Sequence, residues 1–277
     1  MASHDVFARS VVDSSNAPRA RAQRLARVRV AGTVGRVPFE SARAIAPVTA
    51  LSSVGSTFDV VDAAAPPLST WATLDQRAGR GRLGREWVAP AGRCLAASIV
   101  VRPSASADAW GWLPLAVGLA LAEAIDPLVP AATVGVKWPN DVLVDGRKVA
   151  GILCERRGDA VIVGVGVNLV LEPHELPTDR ATSLRIAGAE GDADALADAV
   201  LAGVLRGIQG AADLDDADLH ARIAARCATI GEHVRVLLPG DRTLVGTVTG
   251  LGPAGELDVD VDGRVERVSA GDVTHVR

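Results

Sequence analysis

The chain has 277 residues, 48% of them hydrophobic, and a formal charge of −4; this supports one substantial domain with a small second one, and the acidic balance excludes a general polyanion binder, so no nucleic-acid partner is expected. Three widely spaced cysteines, Cys94, Cys154 and Cys227, make neither a disulfide framework nor a metal cluster and point to a reducing cytoplasm. The N-terminus lacks the long apolar core of a signal peptide, and the most apolar stretch, Trp112 to Ile125, is short and contains Glu123, so it reads as a core helix and no membrane partner is expected.

Residues 1–45 are rich in Ala, Arg and Val, with a basic cluster between Arg19 and Arg29, and read as an irregular, poorly ordered leader; a basic arm touching nucleic acid is the sharper alternative. Residues 46–230 read as the main domain. Strands are expected at Val48–Ser53, Trp71–Asp75, Leu95–Val101, Gly135–Trp138, Val142–Val144, Lys148–Glu155 and Ala160–Val167. Helices are expected at Phe58–Ala64, Leu113–Ile125, Ala193–Ile208 and Asp215–Ala228, the second with Pro114 in its first turn. Many of the strands are joined by hairpins. A mixed, mostly antiparallel sheet with packed helices, an α+β arrangement within the α/β class, therefore fits better than a doubly wound one. Residues 231–277 change character: four short strands, His233–Leu238, Thr243–Leu251, Glu256–Val261 and Arg264–Ser269, are separated by Gly-, Pro- and Asp-rich turns, which suggests a small SH3-like β-barrel.

Two stretches carry chemistry. Gly79-Arg80-Gly81-Arg82-Leu83-Gly84-Arg85-Glu86-Trp87 sets three arginines in a glycine-rich loop. Glycine lets backbone approach a ligand, and the guanidinium fork grips phosphate or carboxylate without losing its charge. An isolated run of this kind would be a solvated basic loop, but this one lies between expected strands and reads as an ordered connection. It matches neither a P-loop nor a dinucleotide-binding fingerprint. The second stretch, Lys137-Trp138-Pro139-Asn140-Asp141 followed by Gly146-Arg147-Lys148-Val149-Ala150-Gly151, puts two lysines across a hairpin turned at Asp145-Gly146. Such lysines suit a phosphate or a developing negative charge, and equally suit a strand edge that must resist aggregation. Asn140 and Asp141 can orient a lysine, help hold a hydrated Mg²⁺, or form a plain turn. The five histidines are scattered without metal-ligand spacing, so no protein-bound metal site is expected.

These blocks resemble the biotin protein ligase family, biotin–[acetyl-CoA-carboxylase] ligases, whose hallmarks are a GRGRxGRxW loop and a KWPND…GRKxAGIL segment. The Ser56-Thr57 pair and Gly164-Val165-Gly166-Val167-Asn168 match two further elements of that family in the same order, so the resemblance covers roughly residues 48–277. It implies a synthetase-like catalytic domain with a small C-terminal cap, and an enzyme that activates biotin with ATP as biotinyl-5′-AMP, with Mg²⁺ arriving on the nucleotide. The acyl group would then pass to a lysine on the biotin carboxyl carrier domain of an acetyl-CoA, acyl-CoA or pyruvate carboxylase. The leader is too short and irregular for the helix-turn-helix domain of the bifunctional members, so the chain resembles the monofunctional kind, a monomer or weak homodimer.

Carried over residue by residue, the resemblance implies a biotin site at Ser56, Thr57, Gln76, Gly79, Arg80, Lys148 and Gly151. Nucleotide contacts fall to Arg82, Arg85, Trp87, Asn140 and Asn168, and catalysis to Arg80, Arg82, Lys137, Asp141 and Lys148. The chain departs from the family at Phe58 and Arg77, where small polar residues are usual, and Phe58 is placed to reshape the pocket. Two competing readings are a lipoate–protein ligase, disfavoured by the arginine loop, and a biotin-sensing binding module, disfavoured by the retained lysines and arginines.

Overall fold

The computed structural model describes residues 12–13, 39–211, 213–238, 240 and 242–275. One sheet organises the larger part of the chain. Its strands are β1 (Val12–Asp13), β2 (Val48–Ala50), β3 (Thr70–Thr73), β6 (Cys94–Val101), β7 (Val134–Lys137), β8 (Asp141–Val144), β9 (Arg147–Arg157) and β10 (Ala160–Asn168). They run in the order β2-β3-β6-β10-β9-β8-β7, with β1 beside β9; the β2–β3 and β1–β9 pairs are parallel and the rest antiparallel. The expected mixed sheet is therefore present. Most of the expected leader lies outside the described residues. Its described part includes α1 (Glu40–Arg43), whose first backbone N–H groups are capped by Asp198 and which buries Phe39 and Ala42 in the core.

Strand alternation divides the sheet into two faces. On β10, Val161, Val163, Val165 and Val167 point into the main core, while Ala160, Ile162, Gly164 and Gly166 face the other side. Against the core face lie α3 (Leu113–Ile125), α4 (Ala193–Gly210) and α5 (Ala217–Arg226). The stretch Ala107–Leu128 is long and apolar enough to cross a membrane by length and composition. Within it, however, Leu115, Leu121 and Ile125 are fully buried against the sheet and neighbouring helices, each contributing about 1.5–3 kcal/mol. The opposite face carries α2 (Thr57–Val60), whose Phe58 packs on Val100, Ala160 and Ile162. The expected helix Phe58–Ala64 stops after this one turn because Val61 is already extended and Pro66 and Pro67 follow.

The C-terminal strands are β11 (His233–Leu238), β12 (Arg242–Leu251), β13 (Leu257–Val261), β14 (Arg264–Val268) and β15 (Asp272–His275), in the antiparallel order β14-β13-β12-β11-β15. The fifth strand, β15, was not expected from the sequence: at four residues after Ser-Ala-Gly it has little periodicity to read. This sheet is tied to the larger one by indole N–H donors: Trp112 Nε1 to Pro253 O at 2.8 Å and Trp138 Nε1 to Gly255 O at 3.0 Å. The Asp145-Gly146 and Asp262-Gly263 turns both take positive φ at both residues, the hairpin geometry that the Asp-Gly pairs demand.

Candidate active site

The arginine loop folds as a small hairpin, β4 (Gly79–Arg80) paired with β5 (Glu86–Trp87), closed by a tight turn with Leu83 and Gly84 at positive φ. It lies over the second face of the sheet, where the floor is glycine. Gly151 and Gly166 are cross-strand partners on β9 and β10. The Trp87 ring covers both: a Cβ on Gly166 would come within 2.5 Å of Trp87 Cε2, and one on Gly151 within 3.1 Å of Trp87 Cζ3. Phe58 covers Gly164 in the same way, at 2.2 Å from a would-be Cβ. Here glycine is required because an aromatic ring rests on the backbone. Between these walls lies a cavity of about 140 Å³, which Thr57, Gln76, Arg82, Lys148, Gly151 and Gly166 help to line.

Its polar end is built by α2 and the segment after β3. Gln76 pairs with Val54 through an isolated bridge, so its side chain meets Thr57: Gln76 Oε1 accepts from Thr57 N at 2.9 Å and from Thr57 Oγ1 at 3.2 Å. Ser56 is buried beside them, and its hydroxyl has no partner among the described residues. Its cationic end is built by the hairpins. Lys148 Nζ lies 2.7 Å from Asp141 Oδ1, an ion contact without the geometry of a directed hydrogen bond, and 5.7 Å from the centre of the Trp87 ring. Arg82 donates to Asn140 Oδ1 at 2.9 Å, and Asn140 Nδ2 in turn donates to Ile152 O at 2.8 Å. Arg80 pairs with Asp59 at 2.5 Å and sits 5.5 Å from the Phe58 ring; Arg85 pairs with Asp272 of β15.

A second, larger cavity of about 810 Å³ opens beside the first and shares Glu86, Trp87, Asp141 and Lys148 with it. Lys137, Arg147, Arg180 and Asn168 also line it, so with Lys148 its wall carries four cations beside the carboxylates of Glu86, Asp141 and Asp179. Burial lowers the Lys137 pKa, against the pull of Asp141 and with help from Lys148, Arg180 and Arg85. Burial likewise lowers that of Arg82, which Asp141 partly restores. Cys154 and Cys94 are pushed up to about 12 by burial, so neither offers a thiolate near neutral pH.

Of the residues singled out in the sequence, Thr57, Gln76, Arg80, Arg82, Arg85, Trp87, Asn140, Asp141, Lys148 and Gly151 line the smaller cavity. Lys137 and Asn168 line only the larger one. Asn168 there is engaged internally, donating to Thr182 O at 2.9 Å. Ser56 and Gly79 stand behind the wall; Gly79 is paired with Trp87 and its backbone passes beside the Gln76 amide. Sequence reading missed Asp272 and Arg180, and quoted Arg147 only as part of the second motif, without a role. Asp272 has no local signal, being placed only by the tertiary approach of the C-terminal sheet, whereas Arg180 looks like an ordinary surface arginine until the chain is folded.

Comparison with known proteins bears on this arrangement. Residues 62–168 match the Biotin/lipoate A/B protein ligase family and residues 229–276 the Biotin protein ligase C terminal domain. The chain is 42% identical over 205 residues to a biotin–[acetyl-CoA-carboxylase] ligase of Mycobacterium tuberculosis, an alignment that spans 73% of this chain and 77% of that one. It belongs to the biotin protein ligase family. Among solved structures, the biotin protein ligase from Aquifex aeolicus in complex with biotin and ATP superposes with a TM-score of 0.70 at 27% identity, covering 83% of this chain and 99% of that one. The Leishmania major biotin protein ligase in complex with biotinyl-5-AMP gives 0.57 at 28% identity, covering 81% and 99%. The chain is thus an ATP-dependent biotin ligase, which activates biotin and transfers it to a carrier protein.

Proposed function

We propose that the smaller cavity holds biotin and the larger one the nucleotide, with Lys148 at their junction. The observation that carries this is the shared wall: Lys148 and Trp87 border both cavities, so an acid bound in one meets a phosphate bound in the other there. The Phe58 and Trp87 rings that rest on the sheet glycines give the cavity apolar walls suited to a bicyclic head, and Thr57 and Gln76 supply polar groups at its far end, with Ser56 buried beside them.

The first step brings the biotin carboxylate against the α-phosphorus. A carboxylate oxygen forms the new P–O bond and pyrophosphate leaves, giving biotinyl-5′-AMP. Two anions must approach, so catalysis consists of positioning and neutralisation. Lys148 stabilises charge on the α-phosphate; Arg80 and Arg82 hold the carboxylate and close the hairpin over the adenylate. Arg85, Asn140 and Asn168 serve the nucleotide, beside which Trp87 packs, while Lys137 serves the leaving phosphates and Asp141 orients Lys148 and would help position Mg²⁺. In the second step the ε-amine of a carrier lysine attacks the acyl carbon, and AMP departs. No side-chain nucleophile is needed.

Magnesium fits this site as a companion of ATP. Among the described residues no group of three or more His, Cys, Asp or Glu is placed to hold a metal, and Asp141 is engaged by Lys148. One carboxylate plus substrate phosphates is an ordinary Mg²⁺ environment, in which the ion neutralises phosphate charge. The carrier is the biotin carboxyl carrier domain of an acetyl-CoA, acyl-CoA or pyruvate carboxylase, met in the cytoplasm by a monomer or weak homodimer.

ATP–pyrophosphate exchange with Mg²⁺ tests the first step, comparing biotin, lipoate and no acid. Exchange that requires biotin supports the assignment. Exchange with lipoate alone would keep the fold and overturn the acid.

A further inference from the structure

Ser98 lies in the middle of β6 and is fully buried. Alternation puts it on the same face as Ala96 and Val100, opposite Gly164 of β10. Its Oγ lies 2.7 Å from Thr57 Oγ1. Thr57 in turn meets Gln76 Oε1 twice, through its backbone N–H and its hydroxyl. A backbone N–H can only donate, so the Gln76 atom that faces it is the acceptor oxygen. The Thr57 hydroxyl donates to that same oxygen, which leaves its lone pairs to accept from Ser98. The donors therefore run in one direction, Ser98 to Thr57 to Gln76, and each bond polarises the next.

The consequence lies at the far end of this chain. With its oxygen held by two donors, the Gln76 carboxamide turns its nitrogen away, beside Gly79, where a Cβ would come within 2.8 Å of Nε2. We propose that Ser98 is a positioning residue for recognition of the acid. By fixing the Thr57 hydroxyl, and through it the orientation of the Gln76 carboxamide, it sets which polar groups Thr57 and Gln76 offer to the substrate's head at that end of the smaller cavity. Ser98 itself is not among the residues that line the cavity. Its neighbours on the same face, Ala96 and Val100, have no hydroxyl, so packing alone does not call for one at position 98. The inference rests on the placement of biotin in this cavity.

The test is steady-state kinetics of adenylation with biotin and ATP varied separately. Ser98→Ala should raise KM for biotin about fivefold to tenfold, as expected for one buried hydrogen bond, and leave kcat and KM for ATP within twofold. Ser98→Cys, near in size with a weaker donor, should fall between wild type and Ser98→Ala and keeps the test open if the alanine variant folds poorly. In a Thr57→Val background, Ser98→Ala should add nothing, because the residue it acts through is gone. Gln76→Ala separates the two layers. If Gln76→Ala leaves KM for biotin unchanged, the placement of biotin is wrong. If Gln76→Ala raises it while Ser98→Ala does not, or if the full cost of Ser98→Ala persists beside Thr57→Val, the positioning role is overturned. A lowered Tm with unchanged KM for biotin would mark Ser98 as merely structural.

Discussion

Arg80 and Arg85 stand on a hairpin of two-residue strands, their side chains 45% and 62% exposed, each paired with a carboxylate from a different part of the chain. Lys148 stands near the start of an eleven-residue strand, beside Leu143 of β8 on one side and with both its backbone N–H and C=O bonded to the segment 180–182 on the other, its amine against Asp141. Both regions bring positive charge to the same cavity. The difference teaches which of them sets geometry and which closes it. A charge on a long central strand is held by the fold itself, whereas charges on a short hairpin are held by exposed ion pairs worth about 1 kcal/mol or less each. The lysine side is preorganised, and the arginine side is able to open.

The largest expected effect breaks the preorganised side. Lys148→Ala removes the cation at the junction of the two cavities, and adenylation should fall about 100-fold to 1,000-fold, the range for losing one preorganised electrostatic partner. The Tm should change little, because the amine is partly exposed and tied to one carboxylate. Arg80→Ala should give a smaller fall in the same exchange assay. If Arg80→Ala cost more than Lys148→Ala, the assignment of fixed and closing sides would be reversed.

This contrast also explains what could be read from the sequence. The lysine hairpin was legible because period, turn and motif coincide: Asp145-Gly146 gives the turn, the valines of β7 and β8 give the buried faces, and the motif sets Lys137 opposite Asp141 and Lys148 on the returning strand. The arginine loop was legible as chemistry but not as structure, since two-residue strands leave no periodicity. Gly164 and Gly166 were visible as a motif, yet their reason, two aromatic rings lying on the backbone, is tertiary. Asp272 and Ser98 gave no signal. One is brought in by the docking of the C-terminal sheet, and the other is a serine in an apolar strand whose partner lies 41 residues away.

The two glycines sharpen the comparison on a smaller scale. Gly164→Ala drives a methyl into Phe58, a ring built into a buried cluster with Val61, Val100 and Ile162. It should cost about 1–3 kcal/mol of stability, as overpacking does. Gly166→Ala drives a methyl into Trp87, a ring carried by the hairpin. The hairpin can yield, so Tm should stay close to wild type while biotin affinity falls and proteases cut more readily between residues 79 and 93. Equal losses of Tm in the two variants would mean that the arginine hairpin is as rigid as the sheet.

Lys137 offers a probe that leaves the neutral-pH fold alone. Burial puts its pKa below the ordinary lysine value; Asp141 opposes this, while Lys148, Arg180 and Arg85 push the same way as burial. Between the folded and unfolded values the folded state binds fewer protons, so stability contributed by this group rises with pH through that window. In the proposed mechanism activity moves oppositely, because deprotonation removes a charge assigned to the phosphates. The alkaline limb of the adenylation rate should therefore begin below the ordinary lysine range, and Lys137→Arg should move it upward. An unchanged limb in Lys137→Arg would assign it to another group.

The smallest effect belongs to the pair that joins the hairpin to the C-terminal sheet. Asp272 is 31% exposed and Arg85 62%, so water screens their attraction and Asp272→Asn should cost about 1 kcal/mol of stability or less. Its kinetic signature is more informative than its size. If the carboxylate helps hold Arg85 at the mouth, its loss frees that cation, and KM for ATP should shift while KM for biotin, set at the Thr57–Gln76 end, stays put. The shift should shrink as salt is raised, since added ions screen an exposed pair in the wild type and leave less for the substitution to remove. A change confined to biotin would instead mean that the C-terminal sheet acts on the acid's side of the cavity, and the division of labour between the two cavities would have to be redrawn.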